Sequence, residues 1–143
     1  MKRSILTAMM IVLSLAAPAA AQDNAGLPDI SLSGNFLPKV LETSAAHRDS
    51  VVALVKGKPG LPFWVRALVR QPRYVALASE EVKISGERRQ RFRACEAQHC
   101  DASWLVAIFS ADGKHAVLKV SDAKLGVKFF GNPTPDELVA LAD

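Results

Sequence analysis

Two spacings of apolar residues alternate along this chain. Between Thr43 and Lys56 the spacing is helical: Val51, Val52, Leu54 and Val55 make a stripe, with His47, Arg48, Asp49 and Lys56 outside it. Thr43 or Ser44 supplies an N-cap, and Gly57-Lys58-Pro59-Gly60 stops the helix. Ahead of it, residues 36–41 read as a helical turn or a packed extended piece. Behind it, Leu61-Pro62-Phe63-Trp64-Val65 is an apolar clamp across the end of a sheet, with Trp64 expected in the core. Residues 66–73 suit either helix or extended chain, and Pro72 ends them.

From Tyr74 the spacing shortens to two. Val82 and Ile84 alternate with Glu81 and Lys83, and Phe92 and Ala94 alternate with Arg89, Arg91 and Arg93. The alternation favours a three-residue loop, Ser85-Gly86-Glu87, between these runs. That loop sets Ile84 opposite Arg88 and Glu81 opposite Arg91, with Val82, Ile84, Phe92 and Ala94 on one face. A two-residue turn would place Val82 opposite Arg89 and mix the faces. Trp104-Leu105-Val106-Ala107-Ile108-Phe109 is apolar throughout, as in a central strand covered on both sides. Asp112-Gly113 is a hairpin turn. It pairs Phe109 with Ala116, Ala107 with Leu118 and Leu105 with Val120, all on one buried face.

Residues 127–130 form a last strand after a turn near Ser121-Asp122. Thr134 then caps a final helix with Pro135 in its first position and Glu137 completing a capping box. Leu138, Leu141 and Ala142 supply its apolar face. The predicted fold class is α+β: an antiparallel meander of about five strands, flanking helices and one disulfide-closed loop.

The start of the chain changes the expected compartment. Met1-Lys2-Arg3 is basic, residues 4–17 are mostly apolar and shorter than a membrane span, and Ala19-Ala20-Ala21 offers a cleavage site. Residues 1–21 are therefore expected to be a signal peptide cleaved after Ala21. Residues 22–35, rich in Gly, Ser, Asp and Asn, form a loose leader, and residues 36–143 form one domain. The formal charge of +4 falls to +2 when Lys2 and Arg3 are removed, which is no nucleic-acid signature.

The two cysteines, Cys95 and Cys100, enclose Glu96, Ala97, Gln98 and His99 between two strand-like runs. In an exported chain that spacing suits a closed loop. So short a ring is worth roughly 2 kcal/mol by loop entropy, so it shapes the loop more than it staples the domain. Two alternatives need free sulfur: Cys95 as a nucleophile with His99 as base, or zinc held by Cys95, Cys100, His99 and Glu96. The second crowds four ligands into one short loop. No nucleophile elbow, phosphate loop or paired-histidine metal motif occurs. No catalytic residue, metal or cofactor is assigned. Arg89, Arg91 and Arg93 are either a solvated face with cross-strand ion pairs or steering charges for an acidic partner.

These features together resemble the Ivy family, exported inhibitors of vertebrate lysozyme. The resemblance rests on the signal peptide, the first helix, the Leu61-Pro62-Phe63-Trp64-Val65 clamp, the hairpin into Ala94-Cys95 with Cys100 closing the loop, and the apolar strand from Trp104 to Phe109. It implies a five-stranded antiparallel sheet with flanking helices, in the periplasm, and a loop that plugs an active-site cleft between two catalytic carboxylates. Inhibitory members carry Lys-Pro-His-Asp between the cysteines. This chain has Glu96-Ala97-Gln98-His99, which places the histidine one position later and an acid where the lysine stands. The implied partners are a vertebrate lysozyme or an endogenous lytic transglycosylase, with no nucleic acid and no membrane insertion; a homodimer stays open. The alternative is a non-inhibitory envelope binding module on the same fold.

Overall fold

A computed structural model describes residues 30–142. The expected signal peptide, its cleavage site and most of the leader lie outside the described residues. In chain order the elements are α1 (Leu37–Thr43), α2 (Ala45–Val55), α3 (Phe63–Arg66), β1 (Tyr74–Ala76), β2 (Glu80–Ile84), β3 (Glu87–Glu96), β4 (Ser103–Ser110), β5 (Ala116–Asp122), β6 (Gly126–Phe130) and α4 (Pro135–Ala142). The fold is α+β, an open antiparallel sheet ordered β1-β3-β4-β5-β6. β2 pairs with the opposite end of β3 from β1, so two short strands share one edge. No helix of the described residues is long and apolar enough to cross a membrane.

The first helical region divides at Ser44, which is extended and caps α2 by accepting the His47 N–H (3.4 Å). Gly57 follows the helix with φ 68°, where a side chain would be strained. His47, expected outside, is buried, and Val52, expected in the stripe, is exposed. The buried line is His47, Val51 and Val55, four residues apart. His47 is drawn inward because Ser44 Oγ meets its Nδ1 at 2.7 Å and its ring lies 5.0 Å from Phe109. Gly113, in the turn between β4 and β5, lies against that ring. Its φ is 73°, and a Cβ there would run into the imidazole.

The clamp is the short helix α3, with Leu61, Trp64 and Val65 buried and Phe63 turned out. Residues 32–35, placed by composition in the loose leader, are tied down by one buried serine. Ser79 Oγ donates to the Leu32 carbonyl (2.9 Å) and accepts from the Asn35 N–H (3.0 Å) and from Gln90 Nε2 (3.0 Å).

The β4–β5 register is the expected one: Phe109 pairs with Ala116, Ala107 with Leu118 and Leu105 with Val120. All six belong to the main core, together with Phe92, Ala94 and residues of α1, α2 and α3. The β2–β3 register is not the expected one. A two-residue turn, Ser85-Gly86, has φ of 51° and 81° and pairs Ile84 with Glu87 and Val82 with Arg89. Val82 and Ile84 therefore lie on the opposite face from Phe92 and Ala94. Glu80, not Glu81, stands opposite Arg91.

The physical reason is that the sheet is packed on both faces. On the second face Ile84, Val106, Ile108 and Val117 form a smaller core with Leu141 of α4. An apolar residue beside an arginine breaks no rule there, because the arginine stem packs while its head reaches the rim. The α4 capping box forms as expected: the Thr134 N–H donates to Glu137 Oε2 (2.9 Å), and the Glu137 N–H donates to Thr134 Oγ1 (3.3 Å). The inward side of α4 differs, however. Leu141 and Glu137 are buried, while Leu138 and Ala142 are exposed.

Candidate functional site: the disulfide-closed loop

β3 and β4 are the longest strands, with ten and eight residues, and the loop joins them. Their last ladder pair is Cys95 with Trp104, so the loop stands directly on the sheet. Cys95 and Cys100 are bridged, with Cα atoms 4.8 Å apart. Inside the ring Gln98 takes φ 71°, a conformation uncommon for residues other than glycine. The backbone of His99 is held at both ends. Its N–H donates to the Glu96 carbonyl (2.9 Å), and its own carbonyl accepts from Ala102 (3.0 Å) and Ser103 (2.9 Å). The imidazole is 62 % exposed, with Nδ1 3.8 Å from Glu96 Oε2. The loop thus combines a fixed main chain with exposed side chains at Ala97, Gln98 and His99.

A polar chain anchors the returning strand. Trp64 Nε1–H donates to Ser103 Oγ (2.8 Å), which donates to Asp122 Oδ2 (2.8 Å). Asp122 Oδ1 also accepts from the backbone of Lys124 (2.9 Å) and Leu125 (3.0 Å). The Ser103 hydroxyl, with those amides, holds the Asp122 carboxyl below the usual carboxylate range. Sequence alone assigns no role to Ser103 and marks Asp122 only as part of a turn, whereas β5 runs on to Asp122. The available signal was Trp64 itself, since a buried indole N–H needs an acceptor. Between the loop and the β5–β6 turn lies a concavity of about 390 Å³, bounded by Pro62, Glu96, His99, Asp122 and Leu125.

Three of the four arginines of β3, Arg89, Arg91 and Arg93, share the second face but have unequal surroundings. Arg89 pairs with Glu87 (2.6 Å). Arg91 pairs with Glu80 (2.6 Å) and donates to the Ala140 carbonyl near the end of α4 (3.3 Å). Arg93, nearest the loop, makes no side-chain hydrogen bond or ion pair among the described residues, and its Nε is buried without a partner. The cross-strand pair expected between Glu81 and Arg91 is replaced by Arg91 with Glu80. Glu81 instead accepts both Nε (2.9 Å) and Nη2 (2.7 Å) of Arg88, and this holds its carboxyl below the usual range.

With both sulfurs in the bridge, the thiolate nucleophile and the zinc alternative lose the ligands they required. Among the described residues no group of three or more His, Cys, Asp or Glu side chains is placed to hold a metal ion. The remaining histidine, His115, meets Glu137 at 2.8 Å on the rim of α4, far along the hairpin from the loop. Comparison with protein-family models and with curated protein sequences finds no match.

Proposed function

We propose that this chain is an exported inhibitor of a lysozyme-type muramidase, acting in the periplasm as a plug without catalytic chemistry of its own. Its target is a vertebrate lysozyme or an endogenous lytic transglycosylase. The observation that carries the reading is the loop's construction: a bridged ring on the two longest strands, its main chain fixed, offering Gln98 and His99 to a partner. A preorganised tip loses little entropy when it enters a cleft. Glycosidase clefts hold two carboxylates around the scissile bond, and amide and imidazole donors can satisfy them. Arg93 adds a positive charge beside the loop that steers such a cleft, whereas Arg89 and Arg91 are largely neutralised by their glutamates.

One observation favours a second reading. The Glu96 carboxylate already lies beside the imidazole that would face the target acids. A loop self-paired in this way suits a binding module that recognises an envelope protein without inhibiting it.

The two readings separate in a titration of muramidase activity with wild type, His99→Ala and Glu96→Lys. For a plug, His99→Ala weakens inhibition by roughly tenfold, the worth of one charge-assisted hydrogen bond. Glu96→Lys strengthens it by removing the acid. Full inhibition by His99→Ala would refute the plug. If neither wild type nor Glu96→Lys inhibits, the binding-module reading takes its place.

A further inference from the structure

The second face of the sheet is covered by α4 over only part of its area. Beyond Leu141 it continues as an open groove of about 490 Å³, lined by Val75, Leu77, Arg93, Trp104, Val106 and the Cys95–Cys100 bridge. That volume lies within the roughly 300–1,000 Å³ typical of small-molecule sites. Val75 is 49 % and Leu77 60 % exposed. Apart from the Trp104 indole N–H, the wall side chains are hydrocarbon or sulfur, and the one charged group is Arg93, which has no side-chain partner among the described residues.

We propose that this groove binds a medium-chain aliphatic carboxylate, with the acyl chain along Val75, Leu77 and Trp104 and the carboxylate on the Arg93 guanidinium. Three observations select this occupant. First, the site favours an anion: the Arg93 guanidinium sits among apolar walls with no carboxylate, while Arg91 and Arg89, whose Nε is likewise buried without a partner, each hold one. A planar guanidinium accepts a carboxylate in a two-point contact. Second, the remainder of the occupant is mainly apolar, since apart from the Trp104 indole N–H the wall side chains offer no further hydrogen-bonding group. A peptide would bring an N–H and a C=O with every residue, and leaving these unpaired in the groove is costly. Third, a cation is disfavoured twice. Lys119 Nζ already lies 5.0 Å from the Trp104 ring, and Arg93 repels a second positive charge. The inference does not depend on the plug: the two share Arg93, but Ala97, Gln98 and His99 take no part in the groove, and ligand binding is measured without any muramidase.

The test is calorimetric titration of the full chain with dodecanoate, and separately with dodecyltrimethylammonium, both below their micelle concentrations and without any muramidase present. Dodecanoate is expected to bind one per chain, at least tenfold more tightly than the cation. Arg93→Gln should weaken dodecanoate about tenfold, with Arg93→Lys intermediate. Val75→Asp, at an exposed edge position that does not threaten the fold, should abolish binding by placing a like charge in the acyl path. Equal binding of the two amphiphiles, dodecanoate binding indifferent to Arg93→Gln, or no binding at all would overturn the proposal. Concentration-dependent dimerisation that Val75→Asp abolishes, with no dodecanoate bound, would assign the face to a second copy of the chain instead.

Discussion

The two faces of the sheet use the same strands in opposite ways. On the first, three helices close over Phe92, Phe109, Leu105 and Leu118, each 0 % exposed. On the second, the eight-residue α4 covers Ile84, Val106, Ile108 and Val117 but stops short of the disulfide end. There Val75, Leu77, Val127 and Phe129 remain exposed. The contrast separates the part of the sheet closed by helices from the part left uncovered beside the loop. The first face carries the fold. The uncovered part of the second contributes little to folding, and it lies beside the one part of the hairpin built to protrude.

The sharpest way to break this comparison is to remove one aromatic from each face. Phe92→Ala should cost about 3–5 kcal/mol, as a large side chain lost from a closed core. Phe129→Ser, on the open part of the second face, should change stability by no more than about 0.5 kcal/mol. Urea unfolding of both variants measures the difference, and similar losses would mean that the second face is structural too.

A smaller effect is expected where the first face supports the loop. Ser103→Ala leaves the Trp64 N–H buried without an acceptor and takes a donor from Asp122. The expected loss is about 1–3 kcal/mol. Cys95 and Cys100 should stay bridged in this variant, so a thiol count of zero alongside the lower urea midpoint attributes the loss to the polar chain. Unchanged stability would show that the loop stands on β3 and β4 alone.

The smallest effect concerns pH. Burial holds the His47 imidazole below its ordinary value, against the pull of Asp112. The folded protein therefore takes up this proton less readily than the unfolded chain. Stability should be full above about pH 6.5 and fall as the pH drops through that value toward the lower folded pKa, by at most about 1.4 kcal/mol per pH unit. His47→Gln should flatten this part of the profile in urea titrations between neutral and mildly acidic pH. A decline that persists unchanged in the variant would place its origin in another group. Glu137 acts lower on the scale. Burial pushes its carboxyl up, but the Thr134 amide and His115 outweigh that and hold it below its ordinary value. Its contribution is present above about pH 4.3, the ordinary glutamate value, and is lost as the pH falls through the lower folded pKa.

Local chemistry made much of this fold legible from the chain alone. Asp112-Gly113 fixed the β4–β5 pairing because a short turn between continuous apolar runs leaves few registers that bury both. Thr134, Pro135 and Glu137 marked the start of α4 because capping is a contact between residues three apart. The closed loop followed from two cysteines five positions apart at a strand end. What could not be read this way depends on elements distant in sequence. The Ser85-Gly86 turn looked unfavourable because alternation assumes one wet face, and only the packing of α4, some fifty positions later, makes the second face a core. His47 looked solvent-facing until Phe109 and Gly113 came to lie against it. The same cause separates the arginines. Arg89, Arg91 and Arg93 are equivalent in a two-residue pattern, and only the course of β2 and the end of α4 give two of them partners and leave the third facing an open groove. A periodicity records which residues share a side of one element; which elements cover that side is set by contacts the pattern does not contain.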